Sequence, residues 1–209
     1  MFSAVSIQVN KIHICGGSIL NIRWIITIAE CVRDRDFEMV MGIQNQQDEK
    51  NAFRHKPLEV IIHCNYDQSQ ATNGIALVRT TNSIKHSWNI RHSNLAVEVP
   101  PVGAKIRFTG WGGESKNETF SNKLKILNAK SVSHTNCQGR IDPHNVCAHF
   151  PKDMGPCNAD IGSGLFHFED LVAVAGPKLS CGENRSDEFA SIPYYYDFIR
   201  TTISTCDKF

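Results

Sequence analysis

The sequence has no long apolar run, no excess of either charge, no internal repeat and no low-complexity tract. Each absence excludes something. The longest apolar stretches are about Trp24 to Ala29 and Leu171 to Ala175, far short of the roughly 20 residues needed to span a bilayer. No membrane partner is expected. Lys plus Arg number 22 and Asp plus Glu 21, a formal net charge of +1. A chain so balanced is not built around nucleic acid, whose binding is dominated by phosphate charge. Apolar residues make up 41% and charged residues 21% of 209, which excludes disorder and leaves enough chain to bury a core. No leader precedes the alternating segment after Ser3, so any leader is expected to have been removed. None of the nine histidines has HExxH or paired-ligand spacing, and no CxxC is present. Neither a metal nor a cofactor is expected.

Cysteine is plentiful by contrast, with eight residues: Cys15, Cys31, Cys64, Cys137, Cys147, Cys157, Cys181 and Cys206. An even count without metal-ligand spacing indicates disulfides and hence secretion, although counting leaves their connectivity open. The sequons at Asn117 and Asn184 agree with that compartment. Short β-rich runs recur at Ala4–Val9, Trp24–Ile28, Phe37–Met41, Leu58–His63, Ile75–Arg79, Lys105–Thr109, Leu124–Ser131 and Leu171–Ala175, separated by polar or Gly/Pro-bearing stretches. This spacing predicts an all-β antiparallel barrel or sandwich rather than βαβ units. A helix is expected at Tyr196–Ser204, where Phe198, Ile199 and Ile203 recur near helical spacing. Pro100-Pro101 marks a midpoint boundary.

Six ordered blocks then carry a resemblance: Cys15-Gly16-Gly17-Ser18-Ile19-Leu20, Trp24 through Cys31, Asn73 through Val78, Thr109-Gly110-Trp111-Gly112, Asn145-Val146-Cys147-Ala148, and Cys157 through Gly164. Together they resemble the trypsin-like serine proteases. The resemblance implies two six-stranded antiparallel β-barrels (about 1–99 and 100–195), a C-terminal helix at 196–206 and a cleft between the barrels. It also implies disulfides Cys15–Cys31, Cys137–Cys147 and Cys157–Cys181. Cys64 and Cys206 are left over; the family fold brings the strand end at His63-Cys64 near the C-terminal helix, which implies a fourth bridge, Cys64–Cys206.

The family's chemistry is a Ser-His-Asp triad, and here the sequence departs. Where the family has Ala-Ala-His-Cys, this chain reads Ile28-Ala29-Glu30-Cys31. A carboxylate is too weak a base at neutral pH to deprotonate a serine. The orienting aspartate is replaced by Gly74, and the nucleophile by Ile161, which has no attacking atom. Asp160, the family's partner for the N-terminal amine freed by activation, is kept and is expected to have another partner here or a rearranged loop. Ala159 replaces the oxyanion-turn glycine, and its Cβ is expected to disfavour the positive φ of that turn. Gly155 stands at the pocket floor, so the acidic floor residue of trypsin is absent. Pro177 and Lys178 replace residues of the substrate-binding strand, removing an N–H donor and crowding the cleft. Neither Phe189 nor Ala190 supplies the family's second pocket glycine. Ser163 reads as a loop serine and Glu30 as a hydrogen-bonded or solvated residue of an inactive cleft.

Loss of the triad and the pocket together is similar to the inactivated serine protease paralogues of the scabies mite, relatives of the group-three mite allergens. That resemblance implies a monomer secreted into the mite gut and faeces that binds host plasma proteins and inhibits complement. The alternatives are a non-catalytic cofactor for arthropod proteases, a decoy binding through the old cleft, and a cryptic enzyme using Glu30 or Ser163.

Overall fold

The computed structural model describes residues 3–48, 50–113, 120–137 and 144–205. The first half forms β1 (Ala4–Val9), β2 (Ile12–Ile19), β3 (Trp24–Ile28), a one-turn helix α1 (Ala29–Val32), β4 (Glu38–Met41), β5 (Phe53–His55), β6 (Pro57–Ile62) and β7 (Ile75–Thr80). The sheet order is β5-β4-β1-β2-β3-β7-β6. Only Lys56 separates β5 from β6. Pro57 cannot donate to a ladder and restricts the residue before it, so one long strand is bent there. Its first part pairs with β4 and its second with β7, which closes a six-stranded barrel.

The second half holds β8 (Asn94–Leu95), β9 (Lys105–Gly112), β10 (Phe120–Val132), β11 (Asn145–His149), β12 (Gly164–His167), β13 (Asp170–Ala175), β14 (Asp187–Ser191) and the helix α2 (Tyr196–Thr205). Strands β9 to β14 run β12-β9-β10-β11-β14-β13, and a β12–β13 pairing closes the second barrel. The two-residue strand β8 adds to β13 in parallel, so the chain reaches the second barrel before Pro100. The expected fold, two six-stranded antiparallel barrels and a C-terminal helix, is the fold observed. Strands β2, β5, β8, β11, β12 and β14 were not expected from their β propensity; glycines in β2 and β12, the brevity of β5 and β8, and the polar residues of β11 and β14 dilute that signal.

Trp24, Ile26, Met39, Leu77 and their neighbours fill the first barrel and extend through Phe166, Leu171, Val174 and Ile192 into the contact with the second. Phe108, Val146, Leu165, Val172 and Phe189 fill the second. Helix α2 buries Ile199 and packs Phe198 and Ile203 on the first cluster. The His63 ring meets Tyr195 and Phe198 at centroid distances of 5.4 and 4.9 Å. The segment beside Cys64 therefore does lie against the helix. Cys64 itself is an exposed thiol; its expected partner Cys206, like the sequon at Asn117, lies outside the described residues.

Two expected disulfides are formed, Cys15–Cys31 and Cys157–Cys181, with Cα separations of 5.9 and 4.4 Å. The expected Cys137–Cys147 bridge is not. Both are thiols, and both sulfurs lie with a Glu188 carboxylate oxygen inside a 4.8 Å cluster. Cys137 Sγ is directed instead at the Asp187 carbonyl at 3.4 Å, and its hydrogen bond with Cys147, followed by burial, pushes its thiol up. Cys15–Cys31 spans 16 residues and braces α1 against β2. Replacing both cysteines by alanine is expected to cost about 3 kcal/mol by the loop-entropy relation, measured by urea unfolding of the non-reduced protein; an unchanged midpoint would show that the bridge constrains nothing.

Candidate active site

The three residues expected at the triad positions, Glu30, Gly74 and Ile161, do come together. Helix α1, directly after β3, carries Glu30; the turn before β7 carries Gly74; the loop between Cys157 and β12 carries Ile161. The Ala29 N–H donates to the Gly74 carbonyl at 2.5 Å, which sets α1 on the turn. The Gly16 N–H donates to the Ile161 carbonyl at 2.8 Å, and the Cys31 sulfur lies 3.6 Å from the same oxygen. The first barrel thus seats the loop of the second.

Glu30 does not point into open solvent. A methyl group built on Gly74 would lie 3.2 Å from Glu30 Oε2 and 3.6 Å from Oε1, so the carboxylate is turned toward the space that a side chain at position 74 would fill. The two substitutions are therefore coupled: the missing side chain at 74 makes room for the acid at 30. Tyr66 stands alongside, its phenol pushed up first by desolvation and then by the Glu30 charge, with Arg33 acting in the opposite direction. The turn is itself pinned, since Asn73 donates to the Asn65 carbonyl (3.1 Å) and accepts from the Tyr195 hydroxyl (3.1 Å). Nothing in the sequence singled out Tyr66, because its role depends on where the turn folds.

Asp160 anchors the Ile161 loop. It is 3% exposed and accepts the Gly112 N–H (2.7 Å) and the Cys157 N–H (2.9 Å) on separate oxygens. These are the partners that the retained carboxylate needed. A methyl group on Gly110 or Gly112 would fall about 2 Å from its oxygens, which is why the Thr109-Gly110-Trp111-Gly112 motif needs bare backbone there. Burial raises the Asp160 pKa to about 7, against the two N–H donors and the Lys125 charge. A cavity of about 410 Å³, lined by Gly112, Lys125, Met154 and Gly155 among others, borders the carboxylate.

Ala159 corrects an expectation. It adopts φ +65°, so the left-handed turn survives the added Cβ, at a cost of about 1–2 kcal/mol. His13 helps to hold it there. Its Nε2 donates to the Ala159 carbonyl at 3.0 Å while Nδ1 accepts from the Ser6 hydroxyl at 2.8 Å. Trp111 and Phe120 flank the ring, with centroids 5.6 and 6.0 Å away, and burial lowers its pKa to about 4. Sequence reasoning passed over both Ser6 and His13; only the β1–β2 pairing that sets them side by side marks them.

At the pocket floor, a methyl group on Gly155 would meet the Gly182 nitrogen at 2.9 Å and approach Asp187 Oδ2 at 3.7 Å. Asp187 is buried and held by the Ser180 N–H and hydroxyl at 2.6 and 2.9 Å. Pro177 and Lys178 follow the end of β13 and are exposed. Ser163 is 2% exposed, its N–H bonds the Asp160 carbonyl, and its hydroxyl fills the space left bare at Gly16. Asn184 is exposed.

Two outcomes are expected. A Gly74→Asp substitution puts a second carboxylate against Glu30. It should destabilise the native protein, and much less so in a Glu30→His background. A double-mutant cycle by urea unfolding should give a coupling of about 1–3 kcal/mol; strict additivity would mean that Glu30 does not use the space above Gly74. The second concerns pH. Unfolded, His13 takes its proton near 6.5 and folded only near 4, so the unfolded chain binds more protons in that window and acidification favours unfolding. Asp160 runs oppositely: its folded pKa of about 7 exceeds its ordinary 3.8, so acidification through that window favours folding. Each slope approaches about 1.4 kcal/mol per pH unit, and the two offset each other. Asp160→Asn removes one of them, so the stability of that variant should fall more steeply than wild type between pH 6.5 and 4. Parallel profiles would refute the offset.

The family model described as Trypsin matches residues 3–199. Brachyurin of Leptuca pugilator is 26% identical over 202 residues, covering 92% of this chain and 89% of its own. Serine protease SP24D of Anopheles gambiae is 28% identical over 196 residues, covering 90% and 72%. Among solved structures, neuropsin, a serine protease of mouse brain, superposes with a TM-score of 0.89 at 25% identity, covering 97% of this chain and 94% of that one. Human heparin binding protein shares the fold at TM-score 0.88 and 22% identity, covering 96% and 90%. With both barrels, the Cys15–Cys31 and Cys157–Cys181 bridges and the Asp160 loop in place, this chain belongs to the trypsin family of serine protease domains.

Proposed function

We propose that this family member is proteolytically inactive and acts by binding, as an inhibitor of host complement secreted by a mite. The observation that carries the reading is the coupled pair at Glu30 and Gly74, with Ile161 beside it. The general base, its orienting acid and the nucleophile are all replaced, and the Glu30 carboxylate is turned toward the space of the lost acid. Nothing at position 161 can attack a carbonyl, and the buried Ser163 is no substitute. The scaffold nevertheless keeps its loop anchors, its two braced disulfides and its packed cores. A rigid barrel pair that presents loops suits recognition, and one solved neighbour of this fold is named for binding heparin. Host plasma proteins as targets, complement among them, follow from the resemblance to the inactivated mite paralogues. The formed disulfides and the exposed sequon at Asn184 support secretion. No helix among the described residues is long and apolar enough to cross a membrane.

Purified protein titrated into human serum should protect erythrocytes from complement lysis in a dose-dependent way. The same protein should leave a broad peptide library uncut and take no label from a serine-directed fluorophosphonate. Restoring Glu30→His, Gly74→Asp and Ile161→Ser together should bring back labelling, whereas Ile161→Ser alone should not. Peptide cleavage by the wild type would overturn the inactive reading, and unprotected erythrocytes would overturn complement as the target.

A further inference from the structure

Away from the cleft, the segment joining the two barrels holds two histidines that face each other. His92 Nδ1 stands 3.1 Å from His86 Nε2, and the ring centroids are 4.8 Å apart at a tilt of 36°. Both residues are exposed. The chain between them is ordered by its own bonds. Ser87 and Ile90 exchange backbone hydrogen bonds of 3.1 and 3.4 Å. Asn89 donates to the Gly42 carbonyl at 2.5 Å. Ile90 is buried at 1% exposure, and the Ser93 N–H is held by the Ile19 carbonyl at 2.8 Å. The two rings are thus brought together by backbone that is fixed at both ends. They line a cleft of about 560 Å³ together with Ser87, Arg91, Asn94 and Glu169.

We propose that His86 and His92 form a binding site for a borderline transition cation, Zn²⁺ in particular, on this surface. Two imidazole nitrogens at the usual 2.0–2.1 Å from a tetrahedral zinc stand roughly 3.3–3.4 Å apart. The observed gap needs only a few tenths of an ångström and a pivot of two exposed rings, so that their lone pairs meet at the metal instead of sharing a proton. The ring that now donates moves its proton to its other nitrogen, so the neutral pair releases none. The exposed Glu169 side chain lines the same cleft; it swings toward the pair when the metal binds, and water completes the coordination. Bound metal would stiffen the segment that presents Trp88, which is 74% exposed. The pairing escaped sequence reading because a spacing of six residues in a non-helical segment matches no ligand motif.

The test is calorimetric titration of ZnCl₂ into the full chain, stripped of metal and kept non-reduced. Wild type should bind one Zn²⁺ per chain and gain thermal stability on doing so. His86→Ala and His92→Ala should each weaken binding by at least about tenfold and abolish the thermal gain, and Glu169→Gln should weaken binding by about tenfold. Metal-free melting temperatures should be unchanged, since these side chains are exposed. The one group of three or more close metal-ligating side chains among the described residues is Cys137, Cys147 and Glu188, and it is the competing site; the Cys137→Ser, Cys147→Ser double variant should bind as wild type does. Undiminished binding by the histidine variants, or loss only in the cysteine variant, would overturn the assignment.

Discussion

The Asp160 carboxylate holds the site together. Its two oxygens take N–H groups from Gly112 in β9 and from Cys157 at the start of its own loop, so it ties the loop to the body of the second barrel. Everything that faces the first barrel hangs from that tie: Ala159, whose carbonyl meets His13, and Ile161, whose carbonyl meets the Gly16 N–H. Burying a carboxylate is costly unless its hydrogen bonds are satisfied. Here both oxygens are satisfied by backbone, and the glycines at 110 and 112 leave room for it. The loop is therefore held in shape by forces that have nothing to do with a nucleophile.

That separation explains how one part of the molecule could change while the other did not. Glu30, Gly74 and Ile161 sit at the ends of elements whose positions are set elsewhere: α1 by its bond to the turn and by Cys15–Cys31, the turn by Asn73 and Tyr195, and the loop by Asp160. Gly74 has no side chain and Glu30 is absent from the packed cores; of the three, only Ile161 packs against the first cluster. Two of them compensate each other, since an acid at 30 with an acid at 74 would set like charges side by side. An acid at position 30 thus disfavours an acid at position 74.

Much of this was legible in the residues. β-rich runs such as Ala4–Val9 and Trp24–Ile28 have their observed bounds, and the ordered blocks locate α1, the turn and the loop. What was not legible depends on three-dimensional placement. Pro57 marks the bend, but the closure of the first barrel depends on β5 pairing with β4 and β6 with β7, which local sequence does not reveal. The positive φ at Ala159 runs against local preference, and loop closure with the His13 contact overrides it. The Cys137 and Cys147 thiols are adjacent yet unbonded, although the resemblance implied a bridge. His86 and His92 look like two ordinary surface histidines until the Ser87–Ile90 turn folds them face to face.

The same reasoning bears on where a binding function would reside. Around the triad positions several polar groups are already engaged: Asp187 is held by Ser180, and the Ile161 carbonyl is taken by Gly16. The outer surface is different. Trp88 at 74% and Phe168 at 73% exposure are large apolar side chains left in water, each on a segment tied down by backbone or side-chain bonds. Rigid, exposed aromatics lose little conformational entropy when covered and supply much of the energy at protein interfaces. On the proposed binding function, these exposed aromatics of the outer face, rather than the cleft, are the side chains best placed to be covered by a partner.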